Sequence, residues 1–311
     1  MYKLLIHKIR EIIMIKGLIS PILSPFNDNL MFNQDMYNEL AHDLLLNGCA
    51  GLAPFGTTGE ALSVSNEERI NALDGLLKDG IPADKLIPGT GVCNFPDTVR
   101  LSRHAIDSGC MGVMTLPAFY FKDVSDQGLF DYYKKLIDEI NLPDLKIYLY
   151  HIPQVSGVGL SISLVKKLKS EFPEIIAGIK DSSGIWENTV ELLKINDLSV
   201  YPGAELPVID AIKLGGPGCI SATANINSKN IGEVIELCHQ DNWQKATDLH
   251  KNVKEVRYLF QDYSAIPAQK AMLAKKYSNN TWKNIRPPLE RISDSAANEL
   301  ANKLIKFGFN F

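Results

Sequence analysis

Lys180 ends the apolar run Ile175-Ile176-Ala177-Gly178-Ile179-Lys180 and is followed at once by the turn-forming Asp181-Ser182-Ser183-Gly184. Such a run reads as a strand buried on both faces. A charged amine at its end is costly unless paired or neutralised, so the position itself asks for a chemical reason. Other polar groups stand at the ends of similar runs. They are Thr57-Thr58 in Gly56-Thr57-Thr58-Gly59-Glu60, Tyr120 in Pro117-Ala118-Phe119-Tyr120, Tyr150 in Tyr150-His151-Ile152-Pro153, Glu205 in Gly203-Ala204-Glu205, and the stretch Ile220-Ser221-Ala222. An amine, two phenols, adjacent hydroxyls and glycine amides suit imine chemistry. A neutral lysine attacks a ketone, and the protonated imine withdraws electrons from the adjacent carbon. A phenol can shuttle the protons, and hydroxyls with backbone N–H groups can hold a carboxylate. The set contains no phosphate-binding glycine loop, no Ser-His-Asp partnership and no metal-ligand cluster. The expected chemistry needs no metal or organic cofactor, because the lysine is itself the electron sink.

These residues act together only if the elements behind them converge. Eight short β-prone runs are expected at 18–26, 51–56, 85–91, 112–117, 146–153, 175–180, 199–205 and 218–225, with helical periodicity at 33–47, 97–108, 129–140, 160–171 and 207–214. Strand starts recur every ~20–35 residues, the size of one βα unit. Eight such units predict an α/β fold, a (β/α)8 TIM barrel over 14–230, whose strand C-termini meet at one mouth. The rival, a doubly wound sheet, wants a glycine-rich turn after its first strand, and here that strand ends Ser24-Pro25-Phe26-Asn27. Residues 231–311 read as helices at 231–240, 243–260, 266–276 and 292–307, a C-terminal helical region packed on the barrel, since no Gly/Ser linker precedes them. Residues 1–13, interrupted by charge, are expected to be an N-terminal extension outside the fold, with Met14 as an alternative start.

Composition narrows the class. The chain has 311 residues, 45% hydrophobic and 22% charged, with a net charge of −4. That is ordinary globular composition and argues against a nucleic-acid partner, which asks for a basic patch. The N-terminal stretch is too broken by charge for a membrane span or a signal core. Five widely spaced cysteines without a C-x-x-C pair signal neither a disulfide framework nor zinc, and fit reduced thiols in a cytoplasmic protein.

With Gly56-Thr57-Thr58-Gly59-Glu60, Tyr148-Leu149-Tyr150-His151-Ile152-Pro153, Gly178-Ile179-Lys180-Asp181-Ser182-Ser183-Gly184 and Leu214-Gly215-Gly216-Pro217-Gly218-Cys219-Ile220-Ser221 in this order, the chain resembles the dihydrodipicolinate synthase / N-acetylneuraminate lyase superfamily of class I aldolases. The resemblance implies that Lys180 forms the Schiff base with pyruvate or another 2-oxo acid. Tyr150 would be the proton shuttle. Thr57 and Thr58 would bind the 2-oxo acid's carboxylate, and Thr57 would link to the tyrosine. Tyr120 would be the second tyrosine, lent across a tight dimer, with Phe119 the alternative at that place. Ile220 would offer its backbone carbonyl near the imine, and Gly203 and Glu205 would line the substrate pocket. The resemblance also implies a homotetramer built as a dimer of dimers.

Departures from the pattern bear on the substrate. Two residues after the proline of Tyr150-x-x-Pro153, where dihydrodipicolinate synthases carry an arginine for the second substrate's carboxylate, stands Val155. A valine does not replace a guanidinium fork. Leu206 follows Glu205 where sialic-acid lyases carry a second carboxylate. The expected activity is condensation of pyruvate with an aldehyde, or cleavage of a shorter 2-keto-3-deoxy or 4-hydroxy-2-oxo acid. 4-Hydroxy-tetrahydrodipicolinate synthase proper is the alternative, a non-catalytic barrel that binds 2-oxo acids is a further one, and dehydration through the same imine remains open. His151 is expected to point away from the pocket by strand alternation. Gly89-Thr90-Gly91 reads as a βα turn, and Ser163-x-x-Lys166 as a chance match to a penicillin-binding motif.

Overall fold

In the computed structural model, which describes residues 14–311, the strands run parallel around a common axis. The extension expected at 1–13 lies outside the described residues. The strands are β1 (Gly17–Ser20), β2 (Cys49–Leu52), β3 (Val113–Thr115), β4 (Ile147–His151), β5 (Ile176–Asp181), β6 (Ser199–Pro202) and β7 (Gly218–Ile220). They pair in two sheets, β2-β1-β7 and β3-β4-β5-β6.

The eighth strand position, expected at 85–91, is filled by a segment too irregular to be a strand. Residues 83–85 form a 3-10 turn, and only Leu86 and Gly89 make isolated bridges, to Leu52 and to Met114. Pro88 has no N–H to give to a ladder. The hydrogen bonds are nonetheless there on both sides: Ile87 N–H to Leu52 O at 2.9 Å, and Met114 N–H to Pro88 O at 2.8 Å. Gly89 permits this approach, since a Cβ there would sit 2.3 Å from the Phe55 carbonyl oxygen. On the other side β6 and β7 lie in contact without a ladder between them among the described residues. The family of strands therefore closes as a TIM barrel.

The helices on the outside are α1 (Gln34–Leu46), α2 (Asn66–Lys78), α3 (Phe95–Asp107), α4 (Asp126–Ile140), α5 (Pro153–Ser156), α6 (Ile162–Glu171), α7 (Trp186–Leu193), α8 (Val208–Lys213) and α9 (Ala224–His239). Five of these helices start at a capping side chain. Asn33, Asn94, Ser125 and Ser161 each accept a backbone N–H from the first turn, and Ser65 with Glu68 forms a reciprocal capping box. The first predicted strand is cut short at Ser20, before Pro21, and the last at Ile220, because helix α9 already begins at Ala224. Helix α9 packs on β1 and β2. Beyond it α10 (Trp243–Leu259), α11 (Ala265–Lys276) and α12 (Asp294–Ile305) share a separate apolar cluster of Val256, Phe260, Met272, Leu300 and Leu304.

Two apolar layers follow from strand alternation. One lies between strands and helices. The other fills the barrel's interior with Ile19, Ala53, Ile87, Met114, Tyr148, Tyr150, Tyr201 and Ile220. Gly178 on β5 makes room for this inner layer, since a Cβ there would come 2.8 Å from the Tyr148 ring. Lys180, two residues on, shares Gly178's inward side. No helix among the described residues is long and apolar enough to cross a membrane.

Candidate active site

Strands β4 and β5 are in parallel register with Tyr150 opposite Lys180, and β5 with β6 places Tyr201 on the lysine's other side. Lys180 is 4% exposed, so the amine is enclosed at the barrel's C-terminal end. Its Nζ lies 3.4 Å from the Tyr150 hydroxyl and 4.5 Å from that ring's centroid. The Tyr150 hydroxyl is in turn 3.1 Å from Thr57 Oγ1. No carboxylate oxygen lies within 4.0 Å of the Lys180 amine among the described residues. A chain of amine, phenol and hydroxyl is thus formed by residues 57, 150 and 180, which only the closed barrel brings together.

The flanking tyrosines do not compete for this place. Tyr201 donates to the Ile15 carbonyl oxygen at 2.7 Å, and burial pushes its phenol well up. Tyr148 lies deeper, its phenol raised by burial to about 12. Asp181 follows Lys180 and faces the opposite side. Its carboxylate accepts from the Ser183 N–H at 3.0 Å, Asn188 Nδ2 at 3.1 Å and Thr189 Oγ1 at 2.7 Å, so it fastens the turn into α7. His151 also faces outward, as expected. Its Nδ1 accepts the Leu160 N–H at 2.9 Å, and burial lowers its basicity, which leaves it neutral and structural.

Thr57 and Thr58 sit in a loop held at both ends in unusual backbone geometry. Phe55 and Glu60 both have left-handed φ, 58° and 52°, which side-chain-bearing residues rarely adopt. Two anchors hold the loop there. Ser24 Oγ donates to the Gly59 carbonyl at 2.6 Å. The Glu60 carboxylate, wholly buried, pairs with the wholly buried Lys270 of α11. Lys270 also donates to the Asn284 carbonyl at 2.9 Å and lies 4.4 Å from the Phe26 ring centroid. Burial pulls the Lys270 ammonium down to about 8 and pushes the Glu60 carboxyl up. Glu60 was legible as part of its motif, but its partner, more than two hundred residues away, was not.

A cavity of about 640 Å³ opens over the amine, lined by Lys180, Tyr150, Thr57, Thr58, Gly203 and, from α10, Arg257. A second, of about 310 Å³, lies on the other side of Tyr150 and is walled by Met114, Leu116, Phe119 and Val155. Gly203 and the two threonines line the larger cavity. Tyr120 lines neither cavity of its own chain. It is 75% exposed and stacks edge-on with the exposed Phe121, ring centroids 5.6 Å apart, while the half-buried Phe119 faces the smaller cavity. Ile220 packs in the interior cluster beside Tyr150.

Glu205 departs from expectation. Its side chain is fully buried and lines neither cavity, so it does not offer a carboxylate to a bound substrate. The turn after β6 swings it inward, where Ser221 Oγ donates to it and the His250 ring meets its backbone carbonyl at 2.8 Å. Ala204 and Leu206 face the cavity instead. Arg257 is the residue that reading the strand ends missed, because it comes from a helix of the C-terminal region.

The profile of the Dihydrodipicolinate synthetase family matches residues 14–306. An uncharacterized DapA-like lyase of Chloroflexus aurantiacus is 31% identical over 260 residues, covering 83% of this chain and 86% of the relative. A 4-hydroxy-tetrahydrodipicolinate synthase of Thermus thermophilus is 28% identical over 298 residues, 95% of this chain and 97% of that one. The crystal structure of dihydrodipicolinate synthase from Agrobacterium tumefaciens superposes with a TM-score of 0.85 at 31% identity, covering 93% of this chain and 98% of that one. The chain belongs to the dihydrodipicolinate synthetase family and is a lyase of that family.

Proposed function

We propose that the protein uses Lys180 to form an imine with a 2-oxo acid, pyruvate in the simplest case, and makes or breaks a carbon–carbon bond next to it. The observation that carries this reading is the linked series Lys180 Nζ, Tyr150 hydroxyl, Thr57 Oγ1, at 3.4 and 3.1 Å. The neutral amine adds to the C2 carbonyl, Tyr150 relays the proton to the departing oxygen, and water leaves. Loss of a C3 proton gives an enamine, which attacks the aldehyde carbonyl while Tyr150 protonates the new alkoxide. Hydrolysis of the imine then frees the 4-hydroxy-2-oxo acid and the lysine. Cleavage is the same sequence reversed. The hydroxyls and N–H groups of Thr57 and Thr58 hold the carboxylate beside the amine.

Two observations favour a short 2-keto-3-deoxy or 4-hydroxy-2-oxo acid over the lysine-pathway substrate. Val155 is 62% exposed and carries no charge, and Leu206 presents an apolar wall to the cavity. The second reading, 4-hydroxy-tetrahydrodipicolinate synthase proper, draws on relatives that bear that name. Tyr120 acts in this account from a neighbouring subunit of a cytoplasmic homotetramer. Its exposure beside Phe121 supports such a contact.

The test is turnover. Pyruvate release from 2-keto-3-deoxy acids, or its consumption with short aldehydes, is expected from the wild type and lost in Lys180→Ala. Rescue of a lysine-pathway defect without such activity would support the second reading. Release of water with the carbon chain intact would mark a dehydratase. Binding of pyruvate with no turnover of any substrate would contradict a lyase acting through Lys180.

A further inference from the structure

We propose that Arg257 binds an anionic group, a carboxylate or a phosphate, at the end of the substrate remote from the 2-oxo acid. The inference rests on the reading of Lys180 as the imine residue and names the substrate class for that site. Arg257 lies near the C-terminal end of α10, where Val253, Val256 and Phe260 are buried and fix the helix against its neighbours. Its side chain runs over the loop after β7, donates from Nη1 to Thr223 Oγ1 at 2.8 Å, and reaches the wall of the cavity that contains Lys180.

The guanidinium has donors to spare. It carries five N–H groups, and the hydrogen bond to Thr223 uses one. No carboxylate oxygen lies within 4.0 Å of the group among the described residues, so its remaining donors are not taken up by an ion pair. Of the carboxylates nearby, Asp181 and Asp210 line the same cavity: Asp181 is held by Ser183, Asn188 and Thr189, and Asp210 lies 3.7 Å from Lys213. Glu205, outside the cavity lining, accepts from Ser221 on one oxygen only.

Direction matters as much as charge. Thr57 and Thr58 follow β2, Lys180 is the last residue but one of β5, and Arg257 stands by the loops after β6 and β7. A 2-oxo acid with its carboxylate at the threonines and C2 at Nζ has its remaining chain led past Gly203 and Leu206 toward Arg257. Among the described residues Lys180 and Arg257 are the cations that line this cavity. A planar guanidinium fork matches a carboxylate or phosphate, whereas Val155, in the smaller cavity, can offer neither.

The test uses two matched pairs that differ by the anion. For a carboxylate, half-maximal borohydride trapping is compared for 2-oxohexanoate and 2-oxoadipate. For a phosphate, kcat/KM for condensation with pyruvate is compared for glyceraldehyde and glyceraldehyde 3-phosphate. In at least one pair the wild type prefers the anion by about tenfold or more, Arg257→Gln reduces that to about threefold or less, and Arg257→Lys retains part of it. Which pair responds identifies the anion. No preference in either pair, a preference that survives Arg257→Gln, or a parallel loss for both members of a pair would overturn the proposal. Trapping of pyruvate on Lys180 without any anion preference defeats Arg257's role alone. Failure to trap any 2-oxo acid on Lys180 defeats the imine reading and this inference with it.

Discussion

Tyr150 and Lys180 are register partners on neighbouring parallel strands, and this pairing, not a local motif, sets their 3.4 Å separation. Inward alternation places both side chains in the barrel's interior, and strand closure brings Thr57 to the far side of the phenol at 3.1 Å. Removing the hydroxyl alone therefore leaves the packing and breaks the relay. Tyr150→Phe should keep the wild-type melting temperature and lose about 10²–10⁴-fold in kcat. Steady-state kinetics with calorimetry checks both halves.

Glu60 and Lys270 tie the threonine loop to the C-terminal helices. Removing one member leaves the other charge buried without its partner, which costs about 3–5 kcal/mol. Lys270→Met alone should lose stability on that scale, and Glu60→Gln combined with it should recover part of the loss. Denaturant midpoints of the two single variants and the double variant measure the coupling.

The Arg286 guanidinium, hydrogen-bonded to Glu68 at 2.5 and 2.9 Å, holds that carboxyl down at about 2. Because the folded value is depressed, the folded state is favoured above the ordinary carboxylate range. That contribution is lost as pH falls from about 4.5 through about 2. Glu68→Gln should flatten the acid limb of stability across that window. Unfolding midpoints at successive pH values provide the check.

Glu205 is held inside by Ser221, away from the cavity. Ser221→Ala leaves a buried carboxylate without that donor and should cost about 1–3 kcal/mol. The half-saturating pyruvate concentration in borohydride trapping should stay within about twofold of wild type. A larger change in pyruvate binding would assign this pair a part in the site.

What the sequence made legible follows from which signals are local. Lys180 stood out because an apolar run ended in an amine before a turn, and the first helix was read from Asn33, the residue that caps it. The third barrel strand was blurred by Pro88, which hydrogen-bonds through its carbonyl but cannot donate. Helices α2 and α7 were not among the periodic segments. Glu205 misled because two-residue alternation stops at the end of β6, and the turn beyond it sets the side chain's direction. Lys270 and Arg257 depend on how the C-terminal helices dock, and no spacing within their own segments encodes that.

The most direct measurement is borohydride trapping with pyruvate, followed by intact and peptide mass spectrometry. One reduced pyruvate adduct per chain is expected, located on Lys180 and absent from Lys180→Arg. An adduct on another lysine, or none on wild-type protein at saturating pyruvate, would contradict it.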